Sequence, residues 1–263
     1  MAAALLMMNM HGAVMASDCD RTIFRYSEKI PFAIMVDPTS RFKWESTFMN
    51  YQSKKSINSE FSFKDFAEDF AKYLTNIFNS EGQNVINEEY DKKVICIGFD
   101  CKSMFPKVSI LTMQEDDNGI KMATVPHEIS INNPVFHQYL GRCPNIRILT
   151  GGMADDIKEQ LFQLFVTELK SVIGNDKVAN ELVSQGYDNL NDYFDMIQND
   201  SQVTSAISDF TVKDMVAMAE NLIDTESLQY SSIENCKPSP TCEIGVVTMA
   251  EGFKWIKHSL YGA

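Results

Sequence analysis

The sequence predicts an α+β fold: two sheets covered by helices. Three observations predict it. Strand-like runs occupy both ends of the chain, helical periodicities group between them, and the two types do not alternate one by one as a parallel βαβ sheet would require. The chain has 263 residues, 44% of them apolar, enough to bury a large core. A single domain over 1–263 is expected, with a helical elaboration at about 175–205.

The elements follow in order. Residues 2–18, AAALLMMNMHGAVMASD, carry no Lys, Arg, Asp or Glu until Asp18. They read as two core strands joined at Met10-His11-Gly12. A secretion signal is the competing reading, because Ala13-Val14-Met15-Ala16 resembles a small-residue cleavage site. A signal needs a basic leading segment, however, and the first positive side chain is Arg21. TIFRYSEKIPFAIMVDPTS predicts two further strands, Thr22–Tyr26 and Phe32–Val36, around a Ser-Glu-Lys turn. Pro31 stands at a strand entry, where its missing N–H is tolerated.

Two helices follow. Residues 41–53 carry Phe42, Trp44, Phe48 and Met49 at amphipathic positions. Ser62 opens the second, with Asp65 three residues on as its capping partner. Phe63, Phe66, Phe70, Tyr73 or Leu74, and Ile77 then recur at three- and four-residue steps, a stripe suited to packing on a sheet. KKVICIGFD at 92–100 is a buried strand. KVSILTM and IKMATV flank Asp117-Asn118-Gly119, a strong hairpin signal. Residues 154–173 form the longest predicted helix, with Ile157, Leu161, Leu164, Phe165, Leu169 and Val172 on one face. Residues 175–225 are helical and acidic, and Val212, Met215, Val216, Met218, Ala219 and Leu222 share a face. EIGVVTMAEGFKWIKH is a closing hairpin around Ala250-Glu251-Gly252.

Composition narrows function. A net charge of −13 argues against nonspecific nucleic-acid binding and against docking on an anionic membrane. No apolar run approaches the length of a bilayer span. Six cysteines lack zinc-site spacing and read as thiols of a reducing cytoplasm. No cofactor and no metal are expected. The fifteen methionines suit core filling, with a methionine-lined subunit interface as the alternative.

HGAVMASD at 11–18 is similar to the second strand of proteasome β-type subunits, with its HG turn and terminal Asp. TIFRYSEKIPFAIMV, GFDCKSMFPKV and MAENLID…EIGVVTMAEGFKWIKH resemble segments of bacterial proteasome-like proteins of the N-terminal-nucleophile hydrolase superfamily. This resemblance implies a four-layer α/β/β/α sandwich, with the 41–80 helices on one sheet and the 154–225 helices on the other. It also implies a chemistry. An N-terminal Thr, Ser or Cys attacks a carbonyl, a lysine held by an aspartate tunes the base, and backbone N–H groups bind the oxyanion.

The implied positions are mostly altered here. The nucleophile maps to Ala2, which has no oxygen or sulfur, and Ala3 and Ala4 offer no substitute. The aspartate maps to Asp18. The lysine maps to Thr22, with Lys29 as a poor alternative in the following turn. The oxyanion turn falls at Val36-Asp37-Pro38, where Pro38 has no N–H to donate. The glycines before the penultimate strand are replaced by Pro238, Ser239 and Pro240. The expected function is that of a non-catalytic proteasome-like subunit, structural, assembly-related or binding, pairing with itself or with a related subunit. The alternative is an amide or peptide hydrolase with an unrecognised nucleophile, or an Ala2 variant of an active parent.

Other constellations carry less. Ser17 and Cys19 flank Asp18, but exposing either as a new N-terminus would remove the first strand. His127, His137 and His258 lack metal-site spacing. Gly151-Gly152 lacks the Lys and Ser/Thr of a phosphate loop. Asp188-Asn189-Leu190-Asn191-Asp192 lacks the glycine and twelfth-position Glu of a calcium loop.

Overall fold

A computed structural model describes residues 3–19, 21–27, 30–40, 42–55, 62–81, 93–100, 103–116, 119–141, 146, 163, 167, 170, 202–234 and 242–258, with backbone alone at 81, 202–205 and 228–234. The chain divides into two compact units, Met1–Cys143 with Ile207–Ala263, and Pro144–Ala206.

The first unit holds ten strands: β1 (Ala3–Asn9), β2 (Gly12–Ser17), β3 (Ile23–Arg25), β4 (Phe32–Val36), β5 (Lys93–Gly98), β6 (Lys107–Asp116), β7 (Gly119–Glu128), β8 (Val135–Gly141), β9 (Glu243–Thr248) and β10 (Gly252–Lys257). They form two antiparallel sheets, ordered β10-β9-β2-β1-β8 and β3-β4-β5-β6-β7. The described helices are α1 (Trp44–Lys54), α2 (Phe63–Glu81), α3 (Gln202–Asp209) and α4 (Val212–Glu234).

Side chains of β4 and β5 alternate between two cores, as the period of a strand requires. Phe32, Ile34, Val36, Val94 and Cys96 join Trp44, Phe48 and Tyr51 of α1 and Phe63, Phe66, Phe70 and Phe78 of α2. Ala33, Met35, Ile95 and Ile97 face the other way, meeting Ala4, Leu6, Met8, Ala13, Met15 and Val247 of the opposite sheet. The phenylalanine stripe is therefore core. Met7, Met8, Met15, Met35 and Met215 are fully buried as well, so these five fill the interior rather than an interface.

Local sequence explains the ends of elements. Asp65 N–H donates to Ser62 Oγ (3.1 Å), and Ser62 Oγ donates to Asp65 Oδ2 (2.6 Å). Thr211 and Asp214 repeat the device at α4, where Thr211 N–H and its hydroxyl both donate to Asp214 Oδ2 (3.0 and 2.6 Å). The β1–β2 hairpin closes at Asn9 opposite Gly12. Asn9 Oδ1 accepts His11 N–H (2.9 Å), and its Nδ2 donates to the carbonyls of Ile207 (2.9 Å) and Phe210 (2.7 Å), fixing the α3–α4 corner on the hairpin. A Cβ at position 12 would lie 2.9 Å from Val247 O, so the close approach of β9 selects glycine.

The four-layer α/β/β/α expectation is corrected to a mixed α+β fold of two antiparallel sheets with four described helices. The second helical layer was to come from 154–225. Of that stretch only α3 and α4 are described as helices, and α4 is the one packed along β1 and β2. The faces predicted at 154–173 and 175–201 lie outside the described residues, as do the Gly151-Gly152 turn and the Asp188–Asp192 cluster. Within Pro144–Ala206, Ile146 is buried. Gln163, Thr167 and Lys170 are helical and exposed, on the polar side of the predicted helix. Among the described residues no helix is long and apolar enough to cross a membrane.

Candidate functional site

Of the positions that the resemblance singles out, Asp18, Thr22 and the Val36-Asp37-Pro38 turn are described, near the start of β1 and the end of β2. Ala2 itself lies outside the described residues, as do Lys29 and Pro238-Ser239-Pro240. Asp18 and Thr22 are described, and both are buried.

Asp18 extends the β1–β2 ladder by one rung made from its own side chain. Its Oδ1 accepts Ala3 N–H (2.7 Å), while its N–H donates to Ala3 O (3.1 Å). Ser17 Oγ donates to the same carbonyl (3.2 Å) and accepts Cys19 N–H (3.1 Å). Burial pushes the Asp18 carboxyl above the ordinary aspartate value, against the opposing pull of the Ala3 N–H and the Cys19 thiol. Among the described residues no lysine or arginine forms an ion pair with Asp18.

Thr22 serves the turn rather than the carboxylate. Its Oγ1 donates to Cys19 O (3.1 Å), and its own carbonyl accepts Val36 N–H (3.0 Å). The short connection from β2 to β3 is closed by Arg21 in the left-handed region at φ 63°, a conformation that costs a residue with a Cβ about 1 kcal/mol. Arg21 Nε then reaches Glu45 Oε2 at 3.4 Å on the surface. Beside them is a cleft of about 530 Å³ lined by Thr22, Val36, Asp37, Phe42 and Trp44.

The turn at Val36-Asp37-Pro38 supplies a carboxylate where oxyanion binding needs donors. Asp37 Oδ1 accepts Thr39 N–H (2.8 Å) and Thr39 Oγ1 (2.5 Å), and Oδ2 accepts Gly141 N–H (2.9 Å). Gly141 pairs with Ala3 across β8 and β1, so Asp37 ties the end of β4 to the other sheet at the same corner. Sequence reasoning missed this clamp. The signal was Asp37-Pro38-Thr39, an Asx-turn pattern; its far partner lies on β8, a strand the sequence did not disclose.

A second polar cluster adjoins the first. Glu243 stands opposite Ser17 and is buried. Its Oε1 lies 2.9 Å from His258 Nδ1, and the His258 ring stacks on Trp255 with centroids 4.2 Å apart. Burial, with the carboxylates of Asp224, Asp18 and Glu243, pushes the neighbouring Cys242 thiol up to about 12, so at neutral pH it is a thiol and a poor nucleophile. Burial holds His127 and His137 below the ordinary histidine value, as neutral rings. Among the described residues no group of three or more His, Cys, Asp or Glu side chains is placed to hold a metal ion.

The corner thus has three buried carboxylates (Asp18, Asp37 and Glu243), three hydroxyls and two thiols, with the Asp18 carboxylate and the Ser17 and Thr22 hydroxyls bonded to backbone. Among the described residues these bonds order the strand ends. The chain matches no protein-family model and no curated protein sequence.

Proposed function

We propose that this chain is a non-catalytic relative of the proteasome-type N-terminal-nucleophile hydrolases, working as a structural, assembly or binding subunit with itself or a related chain. The observation that carries the reading is the commitment of Asp18 Oδ1 to Ala3 N–H at 2.7 Å, with Thr22 Oγ1 turned to Cys19 O. A lysine-tuned site needs that carboxylate to face an ammonium group, and position 22 carries none. The donor-poor turn at Asp37 and Pro38 supports the same reading. Cys19, Cys96 and Cys242 are thiols rather than disulfide partners, which supports a reducing, cytoplasmic compartment.

The test restores the missing chemistry. Ala2→Thr, with Met1 removed, is assayed on fluorogenic peptide amides beside the parent. No turnover above background is expected from the single variant. Turnover from Ala2→Thr alone would contradict the proposal, because Thr22 would then not be disabling. Turnover from Ala2→Thr/Thr22→Lys but not from the single variant would identify position 22 as the lost lysine.

A further inference from the structure

The strand β7 forms one edge of its sheet, and an exposed edge invites pairing with another chain. Its register with β6 runs without a shift from Gly119 to Glu128, so the backbone groups of alternate residues point outward. Pro126 shows which set this is, since a proline has no N–H to give a ladder. Ile120, Met122, Thr124 and Glu128 share its parity.

The outward groups at the start of this edge are already bonded, to side chains of α2. Asn79 Oδ1 accepts Ile120 N–H (3.0 Å), and Asn79 Nδ2 donates to Ile120 O (2.7 Å). One amide side chain thereby makes both hydrogen bonds that a neighbouring strand residue would make. Thr75 Oγ1 accepts Met122 N–H (3.0 Å) and donates to Ala71 O (2.9 Å), so it is anchored in its own helix. Asn79 Nδ2 is likewise shared with Thr75 O (2.9 Å). Gly119, at φ 112°, makes room: a Cβ there would stand 2.7 Å from Asn79 Oδ1. A side-chain amide, a hydroxyl and a proline therefore occupy three of the outward positions, leaving the Thr124 N–H between them.

We infer that Thr75 and Asn79 of α2 stand in for a sixth strand and close β7 to strand addition, so that association of this chain with any partner does not run through this edge. The groove between α2 and β7, lined by Lys72, Thr75, Asn79, Ile120 and Met122, is the space such a strand would need. The inference is independent of the proposed function, since it concerns a sheet edge away from the Asp18 corner.

The test is Thr75→Val/Asn79→Ala, compared with the parent by amide hydrogen exchange and sedimentation velocity over a concentration series. Exchange at Ile120 and Met122 is expected to quicken by about tenfold or more, and the variant is expected to associate more than the parent. Adding Thr124→Pro, which blocks the outward N–H between Met122 and Pro126, is expected to return association to the parent level. A folded double variant with unchanged exchange at those two amides, or with no more association than the parent, would overturn the inference. If the double variant fails to fold, Thr75→Val decides: its Met122 amide either exchanges about tenfold faster, as expected, or does not, which refutes the cap.

Discussion

The two faces of the β3-β4-β5-β6-β7 sheet are packed with different materials. The helix side is aromatic. Phe32 and Phe66 stack at 5.0 Å, Phe48 meets Phe70 edge-on at 5.4 Å, and Tyr51 meets Phe70 at 4.9 Å, its hydroxyl donating to Asp69 Oδ2 (3.0 Å). The side facing the other sheet carries smaller aliphatic side chains, Ala33 and Met35 beside Ile95 and Ile97, meeting Ala4, Leu6, Met8, Ala13 and Met15. Large rings bridge the curved gap between helix and sheet. Alanine and methionine let two sheets approach and adapt. The candidate site lies at the end of the core between the sheets, where β1 begins. The difference teaches that the aromatic packing and the Asp18 corner are housed separately.

That separation can be broken first on the aromatic side. Phe66→Ala removes a fully buried ring that touches Tyr26, Phe32, Tyr51, Phe63 and Phe70. A loss of about 3–5 kcal/mol in urea unfolding is expected. Overfilling the core between the sheets comes next: Ala33→Leu forces added bulk into it and is expected to cost about 1–3 kcal/mol. Met35→Leu beside it preserves volume and is expected to cost less than about 1.5 kcal/mol, which separates size from shape in that layer.

Asp18 gives the smallest and most specific effect. Asp18→Ala leaves Ala3 N–H without its acceptor, and a loss of about 1 kcal/mol is expected. Asp18→Asn keeps an acceptor and removes the buried charge. Because burial raises the folded-state value of Asp18, its contribution to stability is fully present below the unfolded value of 3.8 and is lost as pH rises through the raised folded value. The parent is therefore expected to lose stability over that window relative to Asp18→Asn, as read by thermal melts across pH 3–8.

Much of this fold was legible where a single period dominates. Phe32–Val36 is a strand at the predicted bounds, Ser62 and Asp65 cap the helix they announce, and the Asn-Gly hairpin joins β6 to β7. The strand β8 was not legible. VFHQYLG mixes polar and apolar side chains, and its middle residues are half-buried without alternation. Strands β1 and β2 were legible as apolar runs but not as to facing, because both of their faces are buried and alternation disappears. At the site, Asp18 could be read as a strand end. The partner of Asp18 could not be read, because it is the backbone N–H of Ala3 and carries no residue signature. The Asp37–Gly141 bond was equally hidden, since its ends are 104 positions apart.

The most direct test of the Asp18 corner is a carbon-detected NMR titration of the Asp18 carboxyl in the intact chain. A carboxylate held by a lysine would titrate below the ordinary aspartate value; burial that outweighs the Ala3 N–H bond puts Asp18 above it. The expected result is a midpoint above 3.8 that Thr22→Lys moves downward. A midpoint below 3.8 in the parent would contradict the account, because burial would then not outweigh the hydrogen bonds and charges that favour the Asp18 carboxylate.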